Sequence, residues 1–213
     1  MSGSYATQMT ALVGVCEPRL KTAGFRRRRN AFNRKTAAGV VHHASFFMLP
    51  THSTGHGAFN LKVSAYCAAK ELYTGEQSPQ GWINDYDCCL RMTFGPTNGF
   101  NRHDAWPIES DDHIIRQVME ALECGLSVLD RFVCAEDLLT LSEEEKFKLE
   151  GIRQLIFEPP LPVLKTCIHL SNNQFKEAQT LISDYITKAS ETMPGHAETV
   201  QKWAVERRIL TLQ

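Results

Sequence analysis

The stretch from Gly39 to Cys67 holds two runs in which side chains alternate along an extended chain, and this feature most limits what the chain can fold into. From Gly57 to Cys67, Phe59, Leu61, Val63, Ala65 and Cys67 fall on one side, with Asn60, Lys62, Ser64 and Tyr66 on the other. That is the pattern of a half-buried strand. From Gly39 to Leu49 both sides are largely apolar, with Val40, Ala44, Phe46 and Met48 opposed to Val41, Phe47 and Leu49. A strand covered on both faces is expected there. The connection PTHSTGH, Pro50 to His56, is rich in turn formers and predicts a reversal between two antiparallel neighbours.

The flanking sequence supplies the rest of an α+β fold. Met9, Leu12, Val13, Cys16, Leu20 and Ala23 recur at steps of three and four and predict a helix from Tyr5 to Gly24, with Pro18 kinking or restarting it and Gly24 as a left-handed cap. FRRRRNAFNRK divides into a short strand through Arg29 and a second from Phe32 to Lys35, with a turn or bulge at Asn30. After a long excursion from Ala69 to Asp87, with a short helix near Ala68 to Leu72, the run Cys88 to Gly95 alternates again. It sets Cys88, Leu90, Met92 and Phe94 against Cys89, Arg91 and Thr93. A long helix follows, capped by Ser110, with Asp111 and Asp112 complementing its dipole and Ile114, Val118, Leu122, Leu126, Leu129 and Phe132 on one side. Ser142 with Glu145 forms a capping box for a short helix through Leu149.

Pro159, Pro160 and Pro162 mark a boundary between a sheet domain, residues 1–158, and a C-terminal all-helical extension, residues 159–213, packed on it. Helical patterns there run over Leu161–Leu170, Gln174–Lys188 and His196–Leu210. The expected architecture is an antiparallel sheet of four or five strands with the Tyr5 and Ser110 helices on one face.

A chain of 213 residues with 43% hydrophobic and 22% charged residues can bury a core without disulfides or metal. The net charge of -1 argues against a surface built as a whole for nucleic acid, although a local basic patch fits inside a neutral total. No run approaches the roughly 18 apolar residues of a membrane span, and the first residues lack a signal-peptide pattern, so a cytoplasmic protein without membrane contact is expected. The 7 cysteines show no CxxC pairing and read as reduced, mostly buried thiols.

Three blocks carry a family resemblance: AGFRRRRNAFNRK at Ala23 to Lys35, GVVHHASFFML followed by AFNLKVSAY, and CLRMTFG with Trp106 and the long helix behind it. Over roughly residues 5–135 they resemble a bacterial family of unknown function, domain-of-unknown-function family 4304. That pattern has a helix ending in Gly-Phe, a basic strand, a central strand often containing Phe-Gln, and an Asn-Leu strand. Here Phe46-Phe47 stands in place of Phe-Gln, so no role for a glutamine carries over. The resemblance implies an α+β fold and no catalytic residues. Small proteins of this kind are associated with toxin neutralisation, an analogy of type alone.

Arg26, Arg27, Arg28 and Arg29 form the sharpest charge feature and suit an acidic protein or a phosphate backbone. On a strand, alternation sends Arg26 and Arg28 to one face and Arg27 and Arg29 to the other, and basic residues also protect an edge strand. His42 in the central strand, with His43 beside it and His52 and His56 in the following loop, gives the one hint of metal, without acidic or cysteine ligands at a matching spacing. Cys88 and Cys89 point to opposite faces and cannot act as one dithiol site. No glycine-rich phosphate loop, GxSxG or HExxH occurs, although a Cys nucleophile with a distant His partner stays open.

Trp82, Tyr86 and Trp106, with Phe100, lie in the loops flanking the Cys88 strand, where aromatic side chains serve as interface anchors or fold back as lids. The expected function is therefore a non-catalytic, cofactor-free protein-binding module, in its most concrete form an immunity-type protein. A nucleic-acid or phosphate-ligand binder using 26–29 is the alternative, and a Cys/His-dependent enzyme the third reading.

Overall fold

The computed structural model describes residues 2–49, 57–77, 79–96, 104–108, 111–141 and 155–211. Helix α1 (Ser2–Thr22) leads through Gly24, at φ +85°, into a hairpin of β1 (Arg26–Arg28) and β2 (Ala31–Lys35). The two alternating runs form β3 (Val41–Leu49) and β4 (Ala58–Tyr66), paired antiparallel along their whole lengths from Val41↔Tyr66 to Leu49↔Ala58. A short helix α2 (Glu71–Thr74) and a helical turn (Asp85–Asp87) precede β5 (Leu90–Phe94). Then come β6 (Trp106–Pro107), α3 (Asp112–Leu129), β7 (Leu155–Phe157), α4 (Leu161–Ser171), α5 (Phe175–Thr192) and α6 (Pro194–Glu206). The sheet order is β1-β2-β3-β4-β5-β7, with β6 beside β4, and every pairing is antiparallel.

Alternation decides which side of this sheet is dry. Phe59, Leu61, Val63 and Ala65 of β4, Ala44 and Phe46 of β3, Phe32 of β2 and Leu90, Met92 and Phe94 of β5 all lie on one face, buried in one core with Met9, Val13, Cys16 and Leu20 of α1 and Val118, Leu122 and Leu126 of α3. Helix α3 approaches β4 closely because Gly125 has no side chain. A Cβ there would lie 2.8 Å from Val63 Cγ2. Trp106 joins the same core at 1% exposure, its ring 5.6 Å from Phe59 and its indole N–H donating to Gln117 at 3.0 Å.

Arg34 ties the helix ends to this face. It donates to the Ala23 carbonyl, pairs with Asp130, sits 4.9 Å from the Phe25 ring and donates to His42 Nδ1. Because arginine only donates, His42 Nδ1 accepts, and its Nε2–H donates to the Phe132 carbonyl at 2.8 Å. The C-terminal helices meet the short helix α2. Trp203 of α6 donates to the Leu72 carbonyl at 2.9 Å and meets Tyr73 edge-on.

Several features differ from the sequence reading. Among the described residues the sheet has seven strands rather than four or five, because two short segments, β6 and β7, add to β4 and β5. Helix α1 runs unbroken through Pro18, with Val13, Cys16 and Leu20 fully buried on either side of it. Cys88 and Cys89 do face opposite ways, but the regular alternation starts only at Leu90. Cys89 joins the main core and Cys88 packs with Tyr66 and Ile83 on the far face. Asp111 caps α3 by accepting from the His113 amide at 2.6 Å, while Ser110 and the Ser142–Leu149 helix lie outside the described residues. Strand β3 is covered on both faces only over its first half. His42, His43 and Ala44 are buried, whereas Phe47 is 46% exposed, since the segment crossing the second face stops short of it.

Candidate binding face

The face of the sheet away from α1 and α3 carries Arg28 of β1, Asn33 of β2, His43, Ser45 and Phe47 of β3, Lys62 and Ser64 of β4 and Arg91 of β5, as the pairing register requires. Residues 82–88 cross part of it. Their sequence favours a tight turn: Asn84 and Asp87 form a capping box around Asp85–Asp87, with the Asn84 amide donating to Asp87 Oδ2 at 2.7 Å.

Long-range polar bonds fix this segment to the sheet. Lys62 Nζ donates to Asp85 Oδ2 at 2.9 Å and the Ser64 hydroxyl donates to Asp85 Oδ1. Asn33 Nδ2 donates to the Ile83 carbonyl at 3.0 Å, which leaves Asn33 Oδ1 to accept from His43 Nδ1–H at 2.8 Å. Below them Ile83, Cys88 and Tyr66 form a small apolar cluster, and the Tyr66 hydroxyl donates to Glu71.

The electrostatics follow from burial. Loss of solvent pushes His43 down to about 4, against a smaller upward pull from Asp85, so it is a neutral hydrogen-bond donor near pH 7. Burial acts to raise the Asp85 carboxyl, but the bonds from Ser64 and Lys62 outweigh it and hold Asp85 below its usual value. The network is a neutral, satisfied patch rather than a reactive one.

Beside it lies a cavity of about 470 Å³ lined by Arg28, Arg29, Asn30, Ser45, Phe47 and Trp82, with Asn84 at its edge. Arg28 sits 6.0 Å from the Trp82 ring and Lys62 Nζ 4.4 Å from the Phe47 ring. Arg29 occupies the hairpin turn at φ +57°, a conformation that costs a non-glycine L-residue roughly 1 kcal/mol. Arg27 Nε holds that turn by donating to the Arg29 carbonyl at 2.7 Å.

The residues singled out in the sequence thus separate. Arg28, Arg29 and Trp82 come together, and Tyr86, 69% exposed, stands nearby with its hydroxyl accepting from Asn84 Nδ2 at 2.9 Å. Arg26 is exposed on β1 on the same side as Arg28. Arg27 points the other way, into an ion pair with Glu17 and over the Phe32 ring. Trp106 is a core residue and takes no part in the face. Both ring nitrogens of His42 are spent on Arg34 and Phe132, and His52, His56 and Phe100 lie outside the described residues. Among the described residues, no group of three or more His, Cys, Asp or Glu side chains is placed to hold a metal ion, and no helix is long and apolar enough to cross a membrane.

Sequence reasoning missed Asn33, His43, Lys62, Ser64 and Asp85 as a unit. Asn60, Lys62 and Ser64 read as a solvent-facing parity, yet Ser64 is fully buried and Asn60 nearly so. For Ser64 the cause is Asp85, 21 residues further along the chain, which accepts its hydroxyl hydrogen bond and which no local pattern reveals.

The model of one family, described as Domain of unknown function (DUF4304), matches residues 16–130, more than half of the chain. The matched stretch runs from Cys16 in α1 to Asp130 after α3 and contains every residue of the face just described. Neither curated proteins nor solved structures give a match.

Proposed function

This chain belongs to the DUF4304 family, a domain of unknown function, and from that premise we propose that it is a non-catalytic protein-binding module working through the open face of its sheet. The observation that carries the reading is the cavity that unites Arg28 and Arg29 with Trp82 and the half-exposed Phe47. A large aromatic and arginines at one concave spot are the residue types that dominate binding energy at protein interfaces. The most concrete version is an immunity-type role in the bacterial cytoplasm, with a toxin as partner.

The cysteine chemistry favours binding over catalysis. Burial pushes the thiols of Cys89 and Cys167 to about 12 and that of Cys16 to about 11, far from the values of a nucleophilic thiolate. The test is a tagged pull-down from the native host, with nuclease, read by mass spectrometry. A stoichiometric protein retained by the wild type and lost by Trp82→Ala supports the reading. Recovery of nuclease-sensitive material alone sinks it.

A second reading, a nucleic-acid or phosphate ligand, is favoured by the donors Arg28, Arg29, Asn30 and Ser45 around the same cavity. It predicts steep salt dependence with binding to any phosphate backbone.

A further inference from the structure

We infer that the face takes an acidic segment of a partner protein, with carboxylates on Arg28 and Arg29 and one bulky apolar side chain against Trp82 and Phe47; this rests on the protein-binding reading above. The first support is a contrast among arginines. Arg19, Arg27, Arg34 and Arg91 each have a carboxylate partner within the chain, at Glu123, Glu17, Asp130 and Glu158. Arg28 and Arg29, both exposed, have no ion-pair partner among the described residues, as is also true of Arg26, Arg116, Arg131, Arg207 and Arg208; what sets the two apart is that they line one cavity, whose lining holds no Asp or Glu.

The second support is that Arg28 lies beside an aromatic ring and that the backbone from which Arg29 projects is fixed. Arg28 lies over the Trp82 indole, and a guanidinium against an aromatic face keeps its in-plane N–H fork open for a bidentate carboxylate. Arg29 projects from a turn whose backbone is held left-handed by the Arg27 bond. Pre-ordering of this kind lowers the entropy lost on binding. Trp82 is itself anchored, because the segment it opens is fixed to the sheet by Asn33, Lys62 and Ser64.

The third support decides between ligand classes. Phe47, 46% exposed, continues the cavity wall as apolar surface. A free phosphate neutralises the arginines and leaves Phe47 wet. A peptide segment answers both demands, with carboxylates at one end of the cavity and an apolar side chain at the other.

The test uses the full chain and a fluorescein-labelled peptide of glutamates flanking one central phenylalanine, read by fluorescence polarisation beside the same peptide with glutamines. The glutamate peptide binds, the glutamine peptide binds at least about tenfold more weakly, and about 0.5 M salt removes most of the difference. The double variant Arg28→Gln, Arg29→Gln loses at least about tenfold while its melting temperature holds. Equal binding of the two peptides, or unchanged binding by the double variant, overturns the assignment. So does stoichiometric binding of inorganic phosphate or adenosine monophosphate with no peptide bound. If the peptides fail while the host pull-down still returns a nuclease-resistant protein that Trp82→Ala releases, the partner chemistry is wrong and the binding-module reading stands. If the pull-down also returns no protein, both fall.

Discussion

On the side of the sheet under α1 and α3, Phe46, Phe59, Leu61, Val63 and Met92 are buried among apolar helix residues. On the other side the polar His43, Ser64 and Asn60 are buried beside the small cluster of Tyr66, Ile83 and Cys88. The first side has the area that drives folding, at roughly 25 cal/mol per Å² of apolar surface removed from water. On this second side Asn33, Lys62 and Ser64 hold residues 82–88 in place, and those residues present Trp82 and Tyr86 outward. The two tryptophans of the loops around β5 show the contrast in one residue type. Trp106 fills the core and Trp82 flanks a cavity at the surface. In the proposed reading, one sheet keeps stability and recognition on separate faces, joined through strands whose residues alternate between them.

Trp106→Ala breaks the apolar side most severely. It empties a fully buried ring beside Phe59 and orphans the Gln117 acceptor, with an expected loss of about 3–5 kcal/mol by urea denaturation. A loss below about 1 kcal/mol would show that the apolar side does not carry the fold.

Acidification probes the polar side. His43 has a folded value of about 4 against an ordinary 6.5, set by burial, so the unfolded chain binds more protons between these limits and stability rises with pH across them. The contribution is fully present above about pH 6.5 and is lost as pH falls toward 4, on the order of 3 kcal/mol in total. His42, also lowered by burial, acts in the same direction. Denaturation at a series of pH values checks this, and His43→Gln should flatten the slope. An unchanged slope in that variant would mean the titration lies elsewhere.

Asp85→Ala strips the loop of its anchor and leaves Lys62 and Ser64 without their acceptor, at about 2 kcal/mol. Because Trp82 opens the anchored segment, its fluorescence should shift to the red before global unfolding. Coincident transitions would tie the loop to the core instead.

The smallest effect has the opposite sign. Arg29→Gly relieves the left-handed turn and should stabilise by up to about 1 kcal/mol while weakening binding. A variant both more stable and equally competent would remove the argument that Arg29 is kept there for recognition.

Much of the fold was legible because it rests on local periodicity. The strands at Val41–Leu49 and Ala58–Tyr66, the break at Arg29 and Asn30, and the helices from Leu161 onward fall close to where alternation and helical spacing put them. The additions, β6 and β7, are two and three residues long, too short to show a period. The site was half legible. The arginine run and Trp82 stood out as residue types, but their meeting depends on a contact between β1 and a segment some fifty residues away, fixed by Asn33 bonding to Ile83. Trp106 looked equivalent to Trp82 in sequence, because nothing local distinguishes an indole that pairs with Phe59 from one that borders a cavity.

The measurement that tests the separation of the two faces most directly is partner capture from nuclease-treated host extract by Trp82→Ala protein whose melting curve is recorded on the same sample. The account predicts a melting temperature within a few degrees of wild type and loss of the captured protein. Wild-type capture by the folded variant, or a variant that loses its partner only because it has unfolded, would contradict it.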